Sequence, residues 1–154
     1  MTEPNSPRDV AERVHRMVEG KDGIEFADLF AVDGVLEYPF APPGTPRTLT
    51  GRTEISAFFG PRKEIRDKFD MHEVTSVVYG TDDPEVVITE IEHHGHSHVT
   101  NLPYQVRALG VIRVRDGEIV HYRDYMNPLT LAELTGRLPD LLAALSASGT
   151  GAGR

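Results

Sequence analysis

The stretch YQVRALGVIRVRDGEIVHYRDYM, Tyr104–Met126, decides the fold class. At its centre Asp116-Gly117 is a two-residue hairpin signal, because a type I′ turn needs positive φ at both central positions and Asp-Gly adopts it readily. The flanks, Tyr104–Arg115 and Glu118–Met126, are rich in β-branched and aromatic residues and read as two antiparallel strands. Upstream, Glu85–Glu92, rich in Val, Ile and Thr, reads as a third strand and Met71–Tyr79 as a fourth, separated by the turn Gly80-Thr81-Asp82-Asp83-Pro84.

The N-terminal half is organised differently. Val10, Val14, Met17 and Val18 recur at helical spacing, and Gly20 stops the helix. A short helix is predicted over Ile24–Phe30, then a turn at Asp33-Gly34 and a strand over Val35–Phe40 that Pro39 marks as an edge or an end. The proline-rich loop Ala41–Pro46 leads to a brief strand at Thr48–Thr50 and a helix from Thr53 with Ile55, Phe58, Phe59 and Ile65 as its apolar positions, interrupted at Gly60-Pro61. A last helix is predicted over Leu129–Leu138, with Leu141–Leu145 extending it. Helices first and antiparallel strands later imply an α+β domain rather than an alternating α/β one. Helices on one face leave the other face free, and a free face of this kind suits a homodimer. One domain, residues 8–138, accounts for the chain of 154 residues, with 1–7 and 146–154 as flexible tails.

Composition narrows the function. A net charge of -8 argues against a nucleic-acid backbone or an anionic membrane surface as partner. With no cysteine, disulfides, thiolate metal sites and cysteine nucleophiles are excluded. No apolar run is long enough to span a bilayer and the first residues are polar, so the cytoplasm is the expected location. Neither a phosphate-binding glycine loop nor a Gly-x-Ser-x-Gly elbow occurs, so no cofactor is expected. The expected partner is a small-molecule ligand.

Asp124 is the first candidate for chemistry. Strand parity sets Val120, Tyr122, Asp124 and Met126 on one face. That face is mostly apolar, so the carboxylate is expected to be desolvated, with a raised pKa suited to acid–base work near neutral pH. The alternative is an ion pair with Arg123, Arg107 or another arginine. Glu90 shares parity with Val86 and Ile88 and is a second inward candidate, about 10 Å from Asp124 if two strands separate them; its alternative is the solvated side, with Glu92. His72 is the third candidate for catalysis. Tyr38, Tyr104, Gln105 and Tyr122 are possible pocket donors, and Phe58 and Met126 possible apolar lining. His94, His96 and His98 alternate, but alternate strand positions lie roughly 7 Å apart and do not converge on one ion, so no metal is expected. Arg107, Arg113 and Arg115 read as a salt-bridged outer stripe.

Several of these segments resemble a family. Phe26-Ala27-Asp28-Leu29-Phe30 followed by Asp33-Gly34-Val35-Leu36-Glu37, Gly51-Arg52 before a helix, and Asp116–Val120 before Tyr122-Arg123-Asp124-Tyr125 resemble, in that order, the SnoaL-like proteins of the nuclear transport factor 2-like superfamily, which includes the ketosteroid isomerases. Tyr79–Pro84, Glu90, His94-Gly95 and Arg123–Asn127 resemble segments of the phenazine-biosynthesis A/B proteins. The resemblance spans about Val10 to Leu134. It implies a cone-shaped, cystatin-like fold with a mixed, mostly antiparallel sheet and a central cavity, a homodimer, and acid–base help to a condensation or rearrangement of a cyclic carbonyl compound. The expected function is then a cofactor-free isomerase, cyclase or dehydratase acting on a small cyclic or polyketide-like carbonyl compound in secondary metabolism. The resemblance also sets the family's catalytic glutamate on Asp124, one methylene shorter, and its active-site histidine near Phe58, which cannot titrate. The alternative is a non-catalytic, ligand-binding or accessory dimer.

Overall fold

A computed structural model describes residues 5–151, with the side chains of 62, 63 and 148–151 left aside. The chain runs α1 (Pro7–Glu19), a 3-10 turn (Phe26–Leu29), β1 (Phe30–Glu37), β2 (Thr48–Thr50), α2 (Arg52–Phe59), a second 3-10 turn (Gly60–Arg62), α3 (Lys63–Arg66), β3 (Phe69–Gly80), β4 (Val86–Ser97), β5 (Pro103–Arg115), β6 (Glu118–Met126), α4 (Pro128–Leu134) and α5 (Leu138–Gly151). The six strands form one sheet in the order β2-β1-β6-β5-β4-β3. Every neighbouring pair is antiparallel except β1 with β6, so the sheet is mixed.

Local chemistry explains the element ends. Ser6 and Asp9 form a reciprocal capping box at the start of α1, and Gly20 ends the helix in the left-handed region at φ 73°. The β5–β6 turn has Asp116 at φ 52° and Gly117 at φ 77°, as the hairpin signal requires. The Arg52 guanidinium donates twice to the Phe30 carbonyl (2.6 and 2.9 Å) and once to Glu118 (2.8 Å), which ties the start of α2 to β1 and β6. These contacts are the physical content of the Gly51-Arg52 signature.

The core lies between the concave face of the sheet and the helices. Val10 and Val14 of α1, Phe30 and Leu36 of β1, Ile55 of α2, Ile112 and Ile119 are almost fully buried there. Phe26 sets its ring edge-on to Phe30, Phe59 and Tyr122 with centroids 5.0–5.4 Å apart, so the 3-10 turn is clamped into the same cluster.

Four expectations need correction. Val120 does not share the face of Tyr122: it is the extra residue of a bulge between the Val114–Ile119 and Arg113–His121 pairs, and Ile119 takes the core position instead. β4 runs on beyond Glu92, with His93–Ser97 as its last residues, paired with β3 on one side and, as far as His96, with β5 on the other, before a turn begins at His98. Gly95 is what allows it: a Cβ there would lie 1.8 Å from the Asp70 carbonyl oxygen, and β3 bulges at His72 opposite it. The last helix is two helices, broken where Gly136 adopts φ 72°, and α5 continues through Ser146–Gly151, which the sequence suggested as a loose tail. At the other end Ser6 and Pro7, also assigned to a tail, cap and open α1; residues 1–4 and 152–154 lie outside the described residues. No helix among the described residues is long and apolar enough to cross a membrane.

Candidate functional site

A cavity of about 360 Å³ opens between the end of β6, the loop after β1, α2 and the two C-terminal helices. Asp124 and Met126 enter from β6, Tyr38 from the end of β1, Phe58 from α2, and Leu131 and Leu141 from α4 and α5. Pro42 and Pro43 of the loop after β1 form one rim. Apart from Asp124 and Tyr38, the ionisable groups on the wall are Arg137 and Asp140, both exposed at the mouth.

Asp124 is the group that this environment alters most. Its Oδ1 is buried and has no hydrogen-bond partner. Burial pushes its carboxyl from the ordinary 3.8 up to about 7. The ion pairs open to it from sequence do not form: Arg107 pairs with Glu92, and Arg123 is on the opposite face of β6. The protonated and ionised forms therefore have similar populations near neutral pH, the condition under which a carboxyl can both give and take a proton.

The backbone opposite Asp124 is Gly110, which in turn pairs with Thr89 of β4. A Cβ on Gly110 would lie 2.8 Å from the Tyr122 hydroxyl and 2.9 Å from the Thr89 hydroxyl. The missing side chain makes room for these two buried oxygens beside the Asp124 row. Burial, followed by the Asp124 charge, raises the Tyr122 phenol far above its ordinary value, so it stays protonated. Tyr122 packs behind the cavity in the core, at 5% exposure, and does not line it.

The structure therefore gathers Asp124, Tyr38, Phe58 and Met126 at one cavity and disperses the other candidates. Glu90 lies two strands from Asp124, as considered, but on the outer face, because the buried positions of β4 are Val87, Thr89 and Ile91 and parity sends Glu90 the other way with Glu92. Among the described residues its carboxylate accepts a hydrogen bond from the Tyr79 hydroxyl, at 3.4 Å. His72 is exposed in the β3 bulge, and Gln105 is exposed on the outer face of β5. Tyr104 faces inward away from the cavity, where its hydroxyl and His93 Nδ1 are 3.1 Å apart, with Phe69 packed against both. Burial raises the Tyr104 phenol to about 12 and lowers His93 to about 4.

His94, His96 and His98 are drawn to separate partners, Glu73 (2.9 Å), Asn101 (3.0 Å) and Asp70 (3.1 Å). Among the described residues no three His, Asp or Glu side chains gather as a metal site. The arginine stripe is salt-bridged on the outer face, with Arg113 on Asp83 and Glu85, and Arg115 on Glu85. Sequence reasoning missed Ile65, Leu131, Thr135 and Leu141 as cavity wall. Their apolar spacing marks helices, but nothing local tells a core-facing leucine from a cavity-facing one.

With this geometry established, comparison with known proteins places the chain. Residues 11–122 match the SnoaL-like domain model. A Bacillus subtilis protein named only as uncharacterized protein YesE is 36% identical over 117 residues, 75% of this chain and 78% of the relative. An uncharacterized PhzA/B-like protein of Pseudomonas aeruginosa is 34% identical over 121 residues, 79% of this chain and 84% of the relative. A solved Bacillus subtilis structure, provisionally named an isomerase, superposes with a TM-score of 0.74 at 32% identity over 89% of this chain and 97% of its own. Matched along its length by the domain model and by two relatives, and built on the cystatin-like, ketosteroid isomerase-like architecture, the chain belongs to the SnoaL-like domain family.

Proposed function

We propose that this protein is a cofactor-independent acid–base enzyme acting on a small cyclic carbonyl compound, with Asp124 as the group that moves the proton. The observation that carries the reading is a buried carboxyl, without hydrogen-bond partner at Oδ1, in a mostly apolar cavity of about 360 Å³ whose other carboxyl, Asp140, is exposed at the mouth. An apolar ring can fill such a volume, and the walls supply affinity without demanding polar groups. In the reaction, Asp124 in its ionised form removes a proton from the carbon next to the carbonyl, the electron pair passes to the carbonyl oxygen, and the protonated Asp124 returns the proton to the same or a conjugated carbon. Isomerisation, cyclisation and dehydration all share this first step. The provisional isomerase name of the solved Bacillus subtilis relative and the PhzA/B likeness of the Pseudomonas one agree with it.

The exchange of the carbon-bound proton tests the reading without knowledge of the natural substrate. Cyclohexanone and 1-tetralone, incubated with the protein in deuterated buffer and followed by proton NMR, should lose the signals of the protons next to the carbonyl. The rate should follow a titration centred near 7. Asp124→Asn should lower it by about 10²- to 10⁴-fold, the usual contribution of a positioned base. Equal exchange in the two proteins would remove Asp124 from the chemistry. One observation favours the other reading, a protein that only binds: Phe58, where the resemblance leads one to expect a histidine, lines the cavity, and among the described residues the other ionisable groups on its wall besides Tyr38, Arg137 and Asp140, are exposed at the mouth. Tight binding of 1-tetralone with no exchange would decide for that reading.

A further inference from the structure

The two C-terminal helices lie beyond residues 11–122, the part that the domain model matches, yet they wall the cavity. The last of them, α5, is held differently from the rest of the fold. Among its described side chains Leu141 is buried and Leu138 and Ala144 are half-buried, while Leu142 and Leu145 stay 51% and 43% exposed. Leu141 and Ala144 face the cavity and are no part of the core cluster beneath α1 and α2. The main neighbour of α5 is α4. After Asp140 its residues carry no charged side chain to pair with the domain. A helix of 14 residues is marginal in water by itself, so this narrow apolar edge is what keeps α5 in place.

The joint before α5 and the loop across the mouth differ in stiffness. The Arg137 N–H donates to the Ala132 carbonyl (2.7 Å), which closes α4, and Gly136 at φ 72° turns the chain toward α5. An alanine there would have to adopt the same left-handed backbone, and its methyl group would lie 2.6 Å from Val99 Cγ1. On the other side of the mouth the rings of Pro42 and Pro43 fix φ in the loop after β1. Two backbone hydrogen bonds staple that loop, from the Tyr38 N–H to the Arg47 carbonyl (2.8 Å) and from the Thr45 N–H to the Pro42 carbonyl (3.1 Å). Between a stapled loop and a helix on a glycine joint, the helix is the part free to move.

We propose that α5 is a lid, which swings about Gly136 to admit a ligand past Pro42 and Pro43 and then closes Leu141 and Ala144 over it as the last part of the apolar wall. The inference rests on the cavity being the working site, as in the catalytic proposal, and adds how that site opens and is shut from water. A closed lid keeps solvent from Asp124, whose Oδ1 is already buried, and from the enolate formed beside it. Opening exposes Leu141 and the half-buried Leu138 and Ala144. That is a small loss beside unfolding of the domain, so α5 opens far more often than the core does.

Thiol labelling of the full chain tests this. It reads no activity, so its failure and the failure of the catalytic proposal are separate results. The protein has no cysteine, so one introduced thiol reports alone. Ala132→Cys sets it on α4 at the cavity wall, at a position 8% exposed, and Ala11→Cys sets it on the core side of α1, at a position 2% exposed. The reagent is fluorescein maleimide, too bulky to pass a closed lid. Ala132→Cys should react at least a hundredfold faster than Ala11→Cys, because one waits for α5 and the other for the core. Adding Gly136→Ala should speed the reaction of Ala132→Cys about tenfold and leave that of Ala11→Cys unchanged. Adding Leu141→Ala instead should do the same, and it carries the test if Gly136→Ala fails to fold. Equal rates for the two thiols, or variants that speed both alike, would show that α5 moves only with the whole domain and would overturn the lid. Variants that speed neither would overturn it too, since the reagent would then enter with α5 in place.

Discussion

Replacing Asp124 by asparagine should raise stability at neutral and alkaline pH, with a pH dependence worked out from the site. In the unfolded chain the carboxyl ionises near 3.8, and in the folded protein near 7, because burial opposes the charge and nothing in the protein compensates Oδ1. Below pH 4 both states hold the proton and the carboxyl makes no pH-dependent contribution. Between 4 and 7 the unfolded chain ionises while the folded protein stays protonated, so wild-type stability falls by about 1.4 kcal/mol for each pH unit. Above 7 both are ionised and the loss is complete. A rise of about three units gives at most about 4 kcal/mol, and on the order of 10 °C in Tm for a domain of this size. The asparagine of the variant has nearly the same shape and does not ionise, so subtracting the variant's unfolding free energy from that of the wild type cancels every other titrating group. Urea denaturation of both proteins at pH 4, 5, 6, 7, 8 and 9 measures the difference. It should move against the wild type by about 2–4 kcal/mol between pH 4 and pH 8 and then level off. A difference that stays flat within about 0.5 kcal/mol would show that the carboxyl has an ordinary pKa, and the reasoning from burial would fail with it.

Further outcomes follow from close packing and burial elsewhere in the sheet. Gly110→Ala should destabilise by about 1–3 kcal/mol, since its methyl group meets the Tyr122 and Thr89 hydroxyls below 3 Å; equilibrium unfolding checks it, and a neutral result would mean that Tyr122 can withdraw. Gly95→Ala should be worse, because the clash there is with the Asp70 backbone. His93, lowered to about 4 first by burial and then by Arg66 and His94, should remain neutral in NMR titrations down to pH 5. Below its ordinary value of 6.5 the unfolded chain takes up a proton that folded His93 refuses, so stability falls as pH drops toward 4. His93→Gln should flatten that acid limb, and an unchanged limb would assign it to other groups.

Much of the fold was legible because its signals are local. Asp116-Gly117 specifies its turn through two φ angles, the Val10–Val18 spacing specifies one helix face, and Gly20 its end; each acts within a few residues. Asp124 stood out for the same reason, as a carboxylate in an apolar alternation. Where parity had to be carried across a bulge it failed: the extra residue Val120 gives the core position to Ile119, and only the pairing with β5 reveals it. Glu90 shows the limit more sharply. Val86, Ile88 and Glu90 alternate as well as Val87, Thr89 and Ile91 do, so the sequence presents two equivalent faces, and which one turns inward is settled by the register with β5 and by the helices packed on the concave side. Tertiary structure alone decided what closes the cavity. Part of its wall comes from Ile65, Leu131 and Leu141, on three separate helices, and apolar side chains of this kind look alike in a sequence whether they close a core or line a space. What separates the two is whether the opposing surface comes within contact distance, and that depends on where every element ends.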